Sequence, residues 1–367
     1  MNDRARAAYL FLSLLQARVG SSLVSRLGDM PPEEVLNSAG ERLASRVKMT
    51  TKAVRAFDEL KGGFDAGRTE ARLNERGIQS ITLADEEYPA SLREIPDPPP
   101  ALFVDGRLPD GPVVALVGSR KATVTGNDMA RRIGRALAER GVWVVSGLAL
   151  GIDAAALSGT VAGGGRTVGV LGCGIDVVYP KSNRGLFEDV RGGGAIVSEY
   201  YLGEAPLAWR FPARNRIIAG LSDYVVVVEA AERSGALITA RHALDAGRDV
   251  WAVPGPLGAV ECRSSNRMLA DGAGVLWDID EFVALVAPEI TIASKEPTPT
   301  QTSIPVGLPE NEASVLAGVG FEPTPSDVVA GRSGVSMREL LPALTLLELK
   351  GYVSRDAAGA FVRRPVS

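Results

Sequence analysis

Six short apolar runs constrain this chain most: Val113–Val117, Val142–Val145, Val168–Leu171, Ala195–Val197, Tyr224–Val228 and Val250–Val253. Each is a near-continuous stretch of branched or small apolar residues with no polar alternation. A strand of that kind must be covered on both faces, which is the condition of a parallel strand inside a sheet flanked by helices. The runs alternate with small-residue turns and helix-like segments, so the pattern predicts a doubly wound, mostly parallel α/β sheet. Ligands of such sheets bind beyond the carboxyl ends of the strands. The loops that follow the six runs are therefore where function is expected.

The first run ends in Gly118-Ser119-Arg120-Lys121, and a helix is expected from Asn127 to Arg140. Backbone N–H groups at a helix start can hold an anion, and two cations stand in the same turn, so a phosphate suits it. The bland alternative is an ordinary strand–helix turn with a surface arginine. A dinucleotide fold requires G-x-G-x-x-G here and an acid after the second strand. This chain has one glycine in the turn, and its second strand runs into Ser146-Gly147. No Gly-Lys-Ser/Thr follows a strand either, which excludes a Walker A loop.

At 367 residues the chain predicts two or three domains. A net charge of −4 confines any nucleic-acid binding to a local patch. The two cysteines, Cys173 and Cys262, suit a reducing cytoplasm and exclude a thiol-based zinc site. A single histidine, His242, argues against most imidazole chemistry. No run approaches the ~20 apolar residues of a membrane span, and the N-terminus lacks a signal-peptide core. A cytoplasmic protein with no membrane partner is expected.

Residues 1–75 read as a helical module of the SAM or helix-hairpin-helix type, with Gly20 in place of the usual hairpin glycines. Leu10, Leu12, Leu14 and Leu15 precede that turn; Leu23, Val24 and Leu27 follow it. Arg42, Arg46, Lys48, Lys52 and Arg55 are either a solvated face or a weak DNA contact. Pro96, Pro98, Pro99 and Pro100 stiffen the approach to a core domain over 78–288. A Pro/Thr/Ser-rich linker is expected over 289–308. Over 309–367, Ser326 opens a short helix. Ser336 and Glu339 form a capping box on a longer one, which Gly351 ends, and a hairpin turns around Gly359. That order is a winged-helix pattern.

Four loops fall on one sheet edge: Gly118–Lys121, Ser146–Asp153, Gly172–Arg184 and Glu229–Ala240, with Phe211–Gly220 between the last two. Several phosphate-sized turns on one edge suit a polymer of phosphates better than one small molecule.

The strings VGSR, SGLAxGID, GCGID…YPxxN, SEY, FPxRNRIIAGLS, EAxxxSGxLITA and GRDVxAVPG occur in this order, over roughly residues 78–280. In this the chain resembles the DprA/Smf family of DNA-processing proteins. The resemblance implies a modified Rossmann-like fold, homodimerisation, and single-stranded DNA binding without sequence preference. It also implies protection of incoming strands and loading of RecA recombinase in natural transformation. No catalytic residue, cofactor or metal is implied. Two positions depart from the family pattern: Ala154-Ala155-Ala156-Leu157 replaces a common histidine after GID, and Ser265 replaces a glycine ahead of Asn266.

The residues expected to bind DNA are Gly118, Ser119, Arg120, Lys121, Lys181, Asn183, Arg184, Arg214, Asn215, Arg216, Ser234 and Gly235. Arg120 and Lys181 are the foremost phosphate contacts. Arg214 and Arg216 lie on an otherwise apolar helix, and for them pairing with Glu199, Glu204 or Glu229 to hold loops is the somewhat stronger alternative. Asn215 either binds or braces a loop, and Ser234 either donates to phosphate or caps a helix. Tyr179, Tyr200, Tyr201, Trp209 and Phe211 either stack bases or pack. Two other functions compete. One is a Rossmann-like nucleotide phosphoribohydrolase, but the PGGxGT loop of those enzymes is missing. The other is a winged-helix DNA regulator, but the would-be recognition helix has Arg338 against Glu339 and Glu348, a net charge of −1.

Overall fold

The computed structural model of the chain describes residues 3–20, 26, 30–288, 308–320, 324–355 and 360–363. It divides into two compact units, Met1–Ile290 and Thr291–Ser367. The six apolar runs are strands: β3 (Val113–Val117), β4 (Trp143–Ser146), β5 (Thr167–Val170), β6 (Ala195–Ser198), β7 (Tyr224–Val227) and β8 (Asp249–Ala252). Three further strands, β1 (Gln79–Thr82), β2 (Ala101–Gly106) and β9 (Gly274–Val275), extend the sheet to nine. These three escaped the sequence reading for local reasons. β1 has three polar residues of four and β9 has two residues, while β2 pairs antiparallel and so lacks the strand-then-helix signature.

The strand order is β1-β2-β6-β5-β4-β3-β7-β8-β9. From β6 to β9 all pairs are parallel; β2 is antiparallel to β6 and to β1. The chain winds outward from β3 through β4 and β5 to β6. It then returns to lay β7 on the other side of β3. The winding direction reverses between β3 and β7, which opens a crevice beyond their carboxyl ends.

β3 feeds both faces of the sheet. Val114 and Leu116 join one core with Ala130, Ile133 and Leu137 of the Val124–Glu139 helix. Ala115 and Val117 join the other, with Ile217 and Ile218 of the Arg210–Gly220 helix and Ala240 of the Ala236–Asp245 helix. The alternation is the period of two that strand geometry imposes. Each fully buried Val or Leu contributes about 1.5–3 kcal/mol relative to exposure. The first of these helices starts at Val124, ahead of the expected Asn127, because Thr123 caps it: its Oγ1 accepts from the Gly126 N–H at 2.9 Å.

The Asp3–Val19 helix is buried on two sides. Leu10 enters the sheet core, while Phe11, Leu12 and Leu15 pack with Val35, Leu43 and Phe57. Arg6 pairs with Glu70 and Asp85, and the Ser13 hydroxyl donates to the Glu199 carbonyl at 3.1 Å. Leu23, Val24 and Leu27 lie outside the described residues.

In the second unit, helices Glu310–Gly318, Ser326–Ser333 and Met337–Leu349 enclose Val315, Leu316, Val329, Leu340, Leu344 and Leu347. An antiparallel hairpin of β10 (Val353–Arg355) and β11 (Phe361–Arg363) closes it. The expected capping box is not formed. The Ser336 hydroxyl instead donates to the Glu339 carboxylate at 2.7 Å, so the backbone amides there lose both side-chain acceptors. The tip of the hairpin at Gly359 and nearly all of the expected linker lie outside the described residues.

Candidate functional site

The crevice between the loops after β3 and β7 has a volume of about 740 Å³. Gly118, Ser119, Arg120 and Lys121 form one wall. Ser234 and Gly235 form the other, and Arg214 and Asn215 lie between them. Eight of the twelve expected residues thus converge. Lys181 and Arg184 stand outside it, exposed on the turn beyond β5. Arg216 points away altogether.

Arg214 is only 3% exposed. Its Nη1 donates to the carbonyls of Gly147, at 2.8 Å, and of Val170, and its Nε donates to Asn215 Oδ1 at 3.2 Å. Burial pulls its pKa down to about 10, and the positive charge of Arg120 adds to that while Asp153 opposes it. It still carries its charge at neutral pH. Asp153 is buried as well. Burial raises its pKa, against the pull of Arg214 and of the Gly147 N–H, which donates to Oδ2 at 3.1 Å. Gly147 has no room for a side chain: a Cβ there would sit 2.5 Å from Arg214 Nη2 and 2.6 Å from Asp153 Oδ2.

The turn after β3 differs from the expected anion nest. The Glu229 carboxylate fills the start of the Val124–Glu139 helix, accepting from the Thr123 N–H at 3.0 Å and from the Thr123 hydroxyl at 2.5 Å. The Ser119 N–H is taken by the Glu229 carbonyl, and the Lys121 N–H by Ser119 Oγ. Gly151, at φ +77°, lets the next loop pack so closely that a Cβ would overlap the Ser119 carbonyl oxygen. The protein's own acid answers this helix dipole. The attraction for an outside anion rests on side chains instead.

Those side chains are Arg120, Lys121 and Arg233, all exposed, with no carboxylate partner among the described residues. The Arg120 guanidinium lies 5.3 Å from the ring centroid of Phe211, which lies 5.3 Å from that of Tyr179. Arginine on an aromatic face keeps its charge while its plane is oriented.

Asn183, Asn215, Ser234 and Arg216 are bonded within the protein. Asn183 Nδ2 donates to the carbonyls of Leu148, at 2.9 Å, and Ala149, at 3.3 Å, holding Leu148 at φ +54°. Asn215 Nδ2 donates to the Gly235 carbonyl at 3.3 Å. Ser234 Oγ accepts from the Ala236 N–H at the start of the Ala236–Asp245 helix. Arg216 donates two bonds of 2.7 Å to Glu199 and lies 3.1 Å from Asp97. Burial works against its charge, but Glu199 and Asp97 outweigh burial and raise its pKa. Tyr200 is buried, Tyr201 donates to the Thr69 carbonyl at 3.0 Å, and Trp209 is 40% exposed. Sequence reasoning did not single out Arg233, although it adjoins Ser234. It also passed over Arg210, whose guanidinium is buried against Tyr200 at 4.4 Å and bonded to Glu204 at 2.7 Å.

Among the described residues no helix is long and apolar enough to cross a membrane, and no cluster of metal-ligating side chains occurs.

Comparison with known proteins matches residues 79–287 to the family described as DNA recombination-mediator protein A, and residues 296–359 to the DprA winged helix domain. The Smf protein of Escherichia coli is 40% identical over 295 residues, 77% of this chain and 76% of its own. The DNA processing protein DprA of Streptococcus pneumoniae is 46% identical over 207 residues, 56% of this chain and 73% of its own. The crystal structure of the S. pneumoniae protein superposes with a TM-score of 0.63 at 34% identity, over 77% of this chain and 96% of that one. A Helicobacter pylori DNA processing protein A, whose structure is described in terms of a single-stranded DNA binding mode, superposes with a TM-score of 0.52 at 31% identity. That match covers 56% of this chain and 95% of the other.

Proposed function

The chain belongs to the DNA recombination-mediator protein A family, and from that premise we propose that it binds single-stranded DNA without sequence preference in the crevice between β3 and β7. The observation that supports this reading best is the charge of that crevice. Exposed Arg120, Lys121 and Arg233 surround a buried, charged Arg214, and Arg120 rests on Phe211. Arg120, Lys121 and Arg233 take phosphates, with Lys181 and Arg184 as outlying contacts. Arg214, Arg216, Asn183 and Asn215 hold the loops that present them. Phosphate contacts position a strand without reading its bases, which accounts for sequence tolerance.

In the cell this activity protects incoming strands and loads RecA during natural transformation. The protein acts as a homodimer through the sheet unit, for which the segment Leu237–Val253 is a candidate face. It works without catalysis, in the cytoplasm.

Affinity for matched single- and double-stranded oligomers at equal salt tests the core of this reading. Tighter single-strand binding is expected, and equal or stronger duplex binding overturns it. RecA filament nucleation on single strands, with and without the protein, tests the loading role. Release of free base from nucleoside monophosphates would favour a phosphoribohydrolase instead.

A further inference from the structure

The Ala66–Asn74 helix carries arginines at positions 68 and 72, and Arg76 follows just beyond its end. The spacing of four places Arg68 and Arg72 on one side of the helix, and Arg76, in the turn after it, donates from Nη1 to the Arg72 carbonyl at 3.0 Å. Leu73 fixes which side faces out: it is fully buried in the sheet core. All three arginines are exposed. Glu70, on the same helix, pairs with Arg6 and is not available to them. Among the described residues no carboxylate pairs with any of the three guanidinia.

Their position gives this ladder meaning. Tyr201 follows β6, at the same carboxyl edge of the sheet as the crevice loops. Its hydroxyl donates to the Thr69 carbonyl, and the Arg72 guanidinium lies 5.9 Å from its ring centroid. Asp65, Arg68, Thr69, Arg72 and Tyr201 line a hollow of about 250 Å³. The Asp65 carboxylate is held by the Arg68 N–H at 2.9 Å, as the helix cap. Beside Tyr201, the loop after β6 is bonded to the loop after β5. The Gly174 N–H donates to the Glu204 carbonyl, and the Gly203 N–H donates to Asp176, three residues from Tyr179. Tyr179 packs on Phe211 and Phe211 under Arg120.

We propose that the Arg68–Arg72–Arg76 ladder, steadied by Tyr201, is a second phosphate-binding site that takes the continuation of the single strand held in the crevice. This rests on the crevice reading above and extends its footprint. β3 and β6 are three strand spacings apart, about 14 Å at ~4.8 Å each. That is the span of about four phosphates at ~3.4 Å spacing, and of fewer in a stretched strand. A short oligonucleotide fills the crevice alone, whereas a long one reaches the ladder.

The test compares oligothymidine of about three and about twenty nucleotides: the first is too short to span the roughly four phosphates between the two sites, and the pair brackets common single-strand site sizes of about 4–16. The proteins are the full chain, the triple variant R68Q/R72Q/R76Q and the crevice variant R120A. With the triple variant, short-oligomer affinity stays at the unsubstituted value. Long-oligomer affinity falls several-fold, and the log–log salt slope falls by up to about 2, near 0.7 for each lost phosphate. The variant R68K/R72K/R76K, which keeps the charges, restores most of that slope. Unchanged melting of the triple variant shows that the loss is not unfolding. Equal affinity of the triple variant and the unsubstituted chain for the long oligomer, with R120A weakening both lengths, overturns the ladder and leaves the crevice standing. So does equal weakening of both lengths by the triple variant. If R120A weakens neither length, the crevice reading itself fails, and the ladder as its continuation fails with it.

Discussion

The carboxylate of Glu199 accepts two hydrogen bonds of 2.7 Å from the guanidinium of Arg216, and both side chains are buried. The Glu199 carbonyl accepts from Ser13, and Gln16 reaches the same carboxylate at 3.3 Å. One ion pair thus joins the Arg210–Gly220 helix behind the crevice to the N-terminal helix. Glu199→Gln leaves a buried guanidinium with half its counter-charge. It should cost about 3–5 kcal/mol of stability, read as a drop in denaturation midpoint. The salt slope of DNA binding by the folded protein should stay unchanged. A reduced slope with intact stability would make Arg216 a DNA contact.

Arg120 is the opposite case, exposed, with its guanidinium resting against Phe211. Arg120→Ala should weaken oligomers of every sequence alike and lower the log–log salt slope by about 0.7, the share of one single-strand phosphate. Arg120→Lys should recover part of the loss, because a point charge lacks the two-pronged fork. Thermal melting should barely move. A variant that unfolds while its folded fraction keeps the slope would mark the arginine as structural.

Gly147→Ala sets a methyl group against the Arg214 guanidinium and the Asp153 carboxylate. Overpacking of this kind costs about 1–3 kcal/mol. Because the displaced group is the buried charge under Arg120, affinity for oligothymidine should fall along with stability. Unaltered affinity would separate Arg214 from the binding surface.

His242 is the sole histidine, so one imidazole resonance reports its titration. Burial, with the charge of Arg216 next in size, lowers its pKa below the ordinary 6.5; Asp245 and Asp97 oppose this. Between that folded midpoint and 6.5 the unfolded chain binds more protons than the folded one. Stability should therefore fall as pH drops through this window, and level off below the folded midpoint. Denaturation of His242→Gln across the same window should lose that part of the slope. A folded midpoint at or above 6.5 would contradict it.

Much of this was legible in the chain. The six apolar runs could not be exposed on either face, so parallel strands between helices followed from composition alone. Ser119, Arg120 and Lys121 had to lie beyond the first strand's carboxyl end once that strand was assigned. The arginines of the Ala66–Asn74 helix were not singled out in the sequence, and their nearness to Tyr201 could not be read there: that contact joins residues 129 apart, 201 − 72, through the antiparallel strand β2. The hidden occupant of the helix start, Glu229, was expected as a partner of Arg214 or Arg216. Its pairing with Thr123 depends on β7 lying beside β3.

By itself the sequence determined the six parallel strands of the sheet, the loops at their carboxyl edge and the cations in the first turn, because hydrophobic period and strand–turn–helix order act locally. Only the tertiary structure decided which arginines reach solvent. Arg214 and Arg216 are two positions apart, hence about 200° around their helix, on opposite sides. One floors the crevice against Gly147 and Val170, and the other turns to Glu199. Nothing in the string RFPARNR says which carboxylate or carbonyl waits on either side. Those partners arrive from other strands of the sheet, and burial follows from where they meet.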